Sequence, residues 1–394
     1  MTTRGKQFAW AGTAVAAAMT ATSFTAPAAA APSTAPAAAL VPVRDHHRAT
    51  QQAMDAAVRD GVPGVTGQAV DEYGTWQGTS GIGDLTTRQP RGTRDRYRVA
   101  SVTKTFVATV LLQLEAEDEI RLDDTVERWL PGVVRGHGHD GGRITVRQLL
   151  NHTSGIYNWT RDPKIQRTLF SKEFLEHRYD TWTPGQQVRI AMRHEPDFAP
   201  GSGWNYSDTN YILAGMIIEK VTGQPYGDEI QQRIIEPLGL RGTTVPGTDP
   251  RLPTPSSRAY STLRDPEEKN TYDVTEYNPS VAGAAGEMIS TSADLNRFFT
   301  ALLGGDLLPK RQMNAMTTTV AMDPEHPDRL RYGLGLRQSK ATCGKEIWAH
   351  GGDFHGTVAV AATTRDGSHA LAFNFNRDRA GDIDAVLDAE FCGT

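Results

Sequence analysis

The chain has 394 residues and a formal net charge of -5, and no long Lys/Arg run stands out, which sets aside nucleic acid and anionic membrane surfaces as partners. About 365 residues remain beyond the leader described next, more than one ordinary domain, so one large or two interleaved domains with a sizeable core are expected. The two cysteines, Cys343 and Cys392, permit one disulfide in an exported protein or two buried free thiols.

Arg4 and Lys6 precede an apolar run from Phe8 to Met19 and then Ala28-Ala29-Ala30, the order of parts in a secretory signal peptide. Residues 1–30 are therefore expected to be a signal peptide and the mature chain to be secreted, extracellular and monomeric. No other stretch approaches about 18 uninterrupted apolar residues, so no stable membrane insertion is expected after cleavage. Residues 31–42 form an Ala/Pro-rich tether that cannot bury a core.

Between Val65 and Thr79 apolar and polar residues alternate around Gly74, and Tyr97 and Val99 alternate with Arg96 and Arg98, which predicts strands. From Val102 the residues Phe106, Val107, Val110, Leu111 and Leu114 recur at helical spacing, predicting a buried helix with Ser101 at its N-cap. Residues 122–284 read as a mostly helical domain, with helical patterns at Val146 to Leu150 and at Tyr211 to Val221, the latter closed by Gly223. His137-Gly138-His139-Asp140 could suggest zinc, but its glycine-rich setting reads as a loop and no further ligand cluster completes a site. No metal and no cofactor are expected. His46, His47 and His326 read as solvated surface residues.

A helix through Leu295, Phe298, Phe299 and Leu302 follows Ile289, and Arg365-Asp366-Gly367-Ser368 signals a hairpin between Thr357–Thr363 and His369–Phe375. A short helix from Ile383 to Phe391 ends the chain. Strands at both ends predict an α/β domain from 43–121 and 285–394, its antiparallel sheet built from both termini and interrupted by the helical insertion.

Three motifs carry chemistry. In Ser101-Val102-Thr103-Lys104 the i, i+3 spacing puts an ammonium side chain within reach of a hydroxyl. A serine is a poor nucleophile until its proton is removed, and helix dipole and desolvation are expected to lower the lysine's pKa so that it can act as that base. Tyr206-Ser207-Asp208 offers a loop-borne tyrosine, expected to be lowered by a nearby cation, that can relay a proton. His350-Gly351-Gly352 lets a strand's backbone approach a substrate closely. No G-x-S-x-G elbow and no phosphate-binding P-loop occurs.

The order and spacing of these motifs resemble the superfamily of serine DD-carboxypeptidases and class C β-lactamases, with S-x-x-K, Y-x-N and a late H-x-G or K-x-G triplet. The resemblance covers nearly all of the mature chain, including Tyr97-Arg98-Val99-Ala100, Ile144 to Gly155 (ITVRQLLNHTSG), Ala214 to Lys220, Ala284-Ala285-Gly286 and Tyr332 to Arg337. It is nearest to the exocellular DD-carboxypeptidases. The resemblance implies a β-lactamase/DD-peptidase-like fold, a Cys343–Cys392 disulfide and an acyl-enzyme on Ser101. It implies that Lys104 takes the serine's proton, that Tyr206 protonates the departing amine, and that His350 sits beside this tyrosine and tunes its charge. The backbone N–H groups of Ser101 and Asp353 would form the oxyanion hole, Arg337 would hold a terminal carboxylate, and Thr160 would line the acyl side.

Two departures bear on specificity. Asp208 stands where the carboxypeptidases have Asn, and Gly351 and Asp353 stand where they have hydroxyl residues, so acids near the carboxylate site would repel a free C-terminus. The leading expectation is a D-alanyl-D-alanine carboxypeptidase-type hydrolase. The alternatives are a D-amino-acid amidase, D-aminopeptidase or esterase, a β-lactamase, and a non-catalytic penicillin- or cell-wall-binding protein. Its substrate would be a small peptide, amide, ester or β-lactam, with Gly352, Asp353, Asp208, Arg337 and Thr160 in contact with it.

Overall fold

The computed structural model describes residues 46–264 and 270–393, so the predicted signal peptide and tether lie outside the described residues. The chain enters through helix α1 (Arg48–Arg59) and the hairpin β1 (Gly64–Asp71) and β2 (Gly74–Gly81). A two-residue strand β3 (Tyr97–Arg98) leads into the Ser101 turn and helix α2 (Thr103–Ala116). Short helices dominate the middle of the chain around the longer α3 (Asp208–Thr222), which stops at Gly223 in a left-handed conformation, as the sequence predicts. Strand β4 (Ile289–Ser290) pairs with β3 and precedes helix α4 (Ser292–Gly304), whose N-terminus is capped by the Thr291 hydroxyl.

The other strands of the large sheet are β5 (Val320–Ala321), β6 (Leu330–Tyr332), β7 (Arg337–Lys340), β8 (Glu346–Phe354), β9 (Thr357–Thr363) and β10 (Ala370–Phe375), followed by helix α5 (Ile383–Cys392). They join β1 and β2 in one antiparallel sheet of order β2-β1-β10-β9-β8-β7-β6-β5. The predicted hairpin around Asp366-Gly367 is the β9–β10 connection, and the strand from the N-terminal part pairs directly with the last strand. None of the sheet's strands comes from residues 122–284.

The centre of the sheet is buried on both faces, which explains the near-continuous apolar runs of β9 and β10. Val358, Val360 and Ala362 face α1 and α5 together with Phe373 and Phe375. Ala359, Ala361 and Ala372 face the opposite way, and their small size lets α4 and α2 pack closely. Phe106 of α2 stacks on Phe298 of α4 with ring centroids 3.7 Å apart. Helix α2 is therefore buried from Thr103 to Leu112 and partly exposed only in its last turn, as its largely apolar pattern requires.

Two local expectations are corrected. His47 is buried rather than solvated, because its ring hydrogen-bonds Glu390 of α5 at 3.1 Å, whereas His326 is exposed and His46 is half-buried against Tyr73. The His137 segment is a small ladder, Arg135–Gly136 with His139–Asp140, in which the turn is made by His137 and Gly138 at positive φ. The Cys343–Cys392 disulfide is formed, tying the end of α5 to the turn between β7 and β8. No described helix is long and apolar enough to cross a membrane.

Candidate active site

Ser101 lies in a single 3₁₀ turn, Ala100–Val102, and not at the N-cap of α2, where Val102 sits without a side-chain cap. The reason is the residue before it. Ala100 adopts φ +44, a left-handed conformation that L-residues avoid, and this kinks the chain between β3 and α2. The serine hydroxyl is thus not spent on capping. It accepts a hydrogen bond from Lys104 Nζ at 3.0 Å and is also hydrogen-bonded to the Tyr206 hydroxyl.

Lys104 is fully buried and donates to Ser101 Oγ, to Asp208 Oδ1 at 2.8 Å and to the Ala285 carbonyl at 2.6 Å. The Asp208 carboxylate and the Ala285 carbonyl can only accept, so Nζ donates to both while it also lies within hydrogen-bond reach of the serine hydroxyl. Asp208, at the first turn of α3, supplies the counter-charge, and its other oxygen receives Asn158 Nδ2 at 3.3 Å and Thr160 Oγ1 at 3.5 Å. Removing one member of such a buried pair typically costs about 3–5 kcal/mol.

Tyr206 also departs from expectation. Tyr206 is half-buried, and enough protein surrounds it that burial, reinforced by the charge of Asp208, raises its pKa. The opposing effects of Ser101 and Arg337 are smaller, so Tyr206 is a neutral phenol that can donate a proton. His350 is buried and bonds Tyr332 with Nε2 at 2.8 Å and the Gly351 carbonyl with Nδ1 at 2.7 Å. The histidine packed on Tyr206 is instead His152, with ring centroids 4.3 Å apart. Burial, together with the charges of Arg337 and Lys104, holds the His350 pKa well below its usual value.

Beside Ser101 opens a recess of about 520 Å³ of empty space, counting its mouth, lined by Ala100, Ser101, Trp159, Thr160, Leu169, Phe170, Asp208, Val281, Ala282, Ala285, Gly286, Asp353 and Phe354. Its only charged lining residues are Asp208 and Asp353. Asp353 keeps solvent exposure, and partial burial in the cleft followed by the charge of Asp378 pushes its carboxyl up to about 6. Gly352 is where β8 meets the serine turn. A Cβ there would lie 2.2 Å from the Val99 carbonyl oxygen and 2.7 Å from the Ser101 nitrogen, so only glycine allows this approach. Arg337 is not among the lining residues. Its charge acts on Tyr206, Tyr332, His152 and His350, and its buried Nε has no partner.

The structure thus lines one recess with Ser101, Asp208, Thr160 and Asp353, brings Lys104 and Tyr206 to the serine hydroxyl and Gly352 to the serine nitrogen, and bonds His350 to Tyr332 instead of Tyr206. The sequence shows the segments holding His152 and Tyr332 without assigning either residue a role, and it does not single out Asn158, Trp159 or Phe170. Their apolar and amide side chains carry no spacing signal.

Comparison with known proteins agrees with this geometry. Residues 17–391 match the beta-lactamase family. A D-stereospecific amidohydrolase from Streptomyces sp. is 61% identical, with a TM-score of 0.85, over 88% of this chain and 99% of that one. D-amino acid amidase from Ochrobactrum anthropi SV3, complexed with D-phenylalanine, is 29% identical with a TM-score of 0.76, over 89% of this chain and all of that one. Penicillin-binding protein 4* of Bacillus subtilis is 27% identical over 321 residues, 78% of this chain and 67% of that protein. With the serine, lysine and tyrosine gathered at one recess and this match over nearly its whole length, the chain belongs to the beta-lactamase family and is a serine hydrolase of that fold.

Proposed function

We propose that the protein is a D-stereospecific amidohydrolase acting on D-aminoacyl amides and peptides through an acyl-enzyme on Ser101. The carrying observation is the recess itself, apolar at Trp159, Leu169, Phe170, Val281 and Phe354 and charged only by Asp208 and Asp353. Such a recess suits an apolar side chain beside an ammonium group and repels a free carboxylate. The named activities of the Streptomyces and Ochrobactrum proteins support the same reading.

Ser101 Oγ attacks the carbonyl carbon while its proton passes to Lys104, which accepts it after handing one of its own to Asp208 Oδ1 along their hydrogen bond. The carbonyl oxygen becomes negative and faces the Ser101 and Asp353 N–H groups. Tyr206 gives its proton to the departing nitrogen, the C–N bond breaks, and Tyr206 recovers a proton from Lys104. Water then repeats the sequence on the ester, releasing the D-amino acid.

The second reading, a D-alanyl-D-alanine carboxypeptidase, is favoured by Arg337, whose cation lies close to Tyr206 and could meet a terminal carboxylate. Assaying D-phenylalaninamide beside peptides ending in D-alanyl-D-alanine separates the two. The proposal expects turnover of the amide, abolished in Ser101→Ala; turnover of the dipeptide end alone would reverse the order. The same reading has the enzyme exported, since a Cys343–Cys392 bridge persists in oxidising surroundings, and working as a monomer. Intact mass and light scattering of protein from culture medium would check both points.

A further inference from the structure

The geometry points to His152 as a positioning residue for Tyr206, holding the phenol where it can protonate the leaving nitrogen. His152 is fully buried, 54 residues before Tyr206, and grips the tyrosine's segment from both sides. Its backbone carbonyl accepts from Asn205 N–H at 3.1 Å, and its Nδ1 accepts from Ser207 N–H at 3.3 Å. Its ring lies against the Tyr206 ring with centroids 4.3 Å apart. The residues immediately before and after Tyr206 are thus pinned by one amino acid, while the tyrosine leans on that residue's ring.

The clamp has a defined protonation state. Nδ1 also receives Asn210 Nδ2 at 3.2 Å, and the Asn210 carbonyl oxygen is occupied by Ser154 Oγ at 2.7 Å, so the amide orientation is set and Nδ1 faces two donors. A neutral imidazole with its proton on Nε2 satisfies both donors, and that buried Nε2 has no hydrogen-bond partner among the described residues. Burial, followed by the charges of Lys104, His350 and Arg337, holds its pKa well below the usual value. The backbone is adapted as well. His152 has φ +62, which turns its carbonyl and ring toward the same segment and which Gly and Asn adopt readily.

The inference rests on the role given to Tyr206 in the proposed function. If His152 acts by placing that proton donor, its loss matters where the leaving group needs a proton and little where it does not. A general acid contributes about 10²–10⁴-fold for a poor leaving group.

The test compares kcat/KM for D-phenylalaninamide and for the p-nitrophenyl ester of D-phenylalanine, which share an acyl group, in His152→Gly, His152→Asn and Tyr206→Phe. Both His152 substitutions suit the left-handed backbone, and Asn returns an acceptor oxygen at the place of Nδ1. His152→Gly should lower amide hydrolysis about 100-fold and ester hydrolysis less than about fivefold, and His152→Asn should recover at least about tenfold of the amide loss. Equal losses on both substrates in His152→Gly, with a selective loss in Tyr206→Phe, would make the residue merely structural and overturn the inference alone. An even loss in Tyr206→Phe would remove the tyrosine's assigned role and the inference with it. Failure of Asn to rescue would overturn the acceptor clamp.

Discussion

Asp208 is both the counter-charge of Lys104 and one of two acids lining the recess, and the proposed function makes substrate preference turn on it. At about 8 Å and an effective dielectric near 20, a carboxylate repels a substrate carboxylate by about 2 kcal/mol. Asp208→Asn should therefore shift the ratio of kcat/KM for a carboxylate-ended D-alanyl-D-alanine peptide over D-phenylalaninamide upward by tenfold or more; an unchanged ratio would remove Asp208 from specificity. Gly352 is constrained by contact instead of charge. Gly352→Ala would drive a methyl group into the Val99 carbonyl and the Ser101 nitrogen, so kcat should fall at least about 100-fold and the melting temperature should fall with it, measured by calorimetry beside initial rates. The Ser101–Lys104 contact was legible because it is local, three residues along one helical rise. The Lys104–Asp208 contact was not, since 104 residues separate the partners and only the packing of α3 beside α2 brings them together.

Among the elements, β9, β10 and α4 were legible from their apolar runs and turn signals, because these strands and helix bury the faces that their patterns advertise. The turn before α2 was not. Its apolar pattern announced a helix, but the left-handed Ala100 is imposed by the approach of β8 at Gly352 and by the pairing of β3 with β4. Helix α5 shows the same division, its pattern local and its anchorage tertiary. The disulfide from Cys392 to Cys343 closes 49 residues, which in the chain-entropy account contributes about 4 kcal/mol. Cys343→Ser with Cys392→Ser should lower unfolding free energy by up to that amount in denaturant titration, with kcat/KM of the folded enzyme unchanged, because neither cysteine lines the recess.

At the scale of the whole molecule, the first and last described helices are joined by charge. Burial alone would raise Glu390, but hydrogen bonds from His369, His47 and Thr50 outweigh it and hold the carboxyl at about 2, against an ordinary value of 4.5. Burial opposes the charge on His47, yet Glu390 and Asp71 raise its pKa above 6.5. Glu390 thus stabilises fully above about pH 4.5 and loses its effect as pH falls toward 2, whereas His47 stabilises below pH 6.5 and loses its effect as pH rises through its folded value. Melting temperature should peak between these limits, and Glu390→Gln should flatten the profile and remove roughly 3 kcal/mol near pH 6; an unchanged profile would show that the contact carries no net stability. By itself the sequence determined the sheet built from both chain ends, the apolar helix behind the serine and the three reactive motifs, since periodicity and short spacing express local geometry. Only the tertiary structure decided that the lysine meets the serine, Asp208 and the Ala285 carbonyl together, that the half-buried tyrosine is a neutral phenol packed on His152, and that two acids line an apolar recess. Protonation and specificity depend on which groups meet across long stretches of chain, and no local pattern records those meetings.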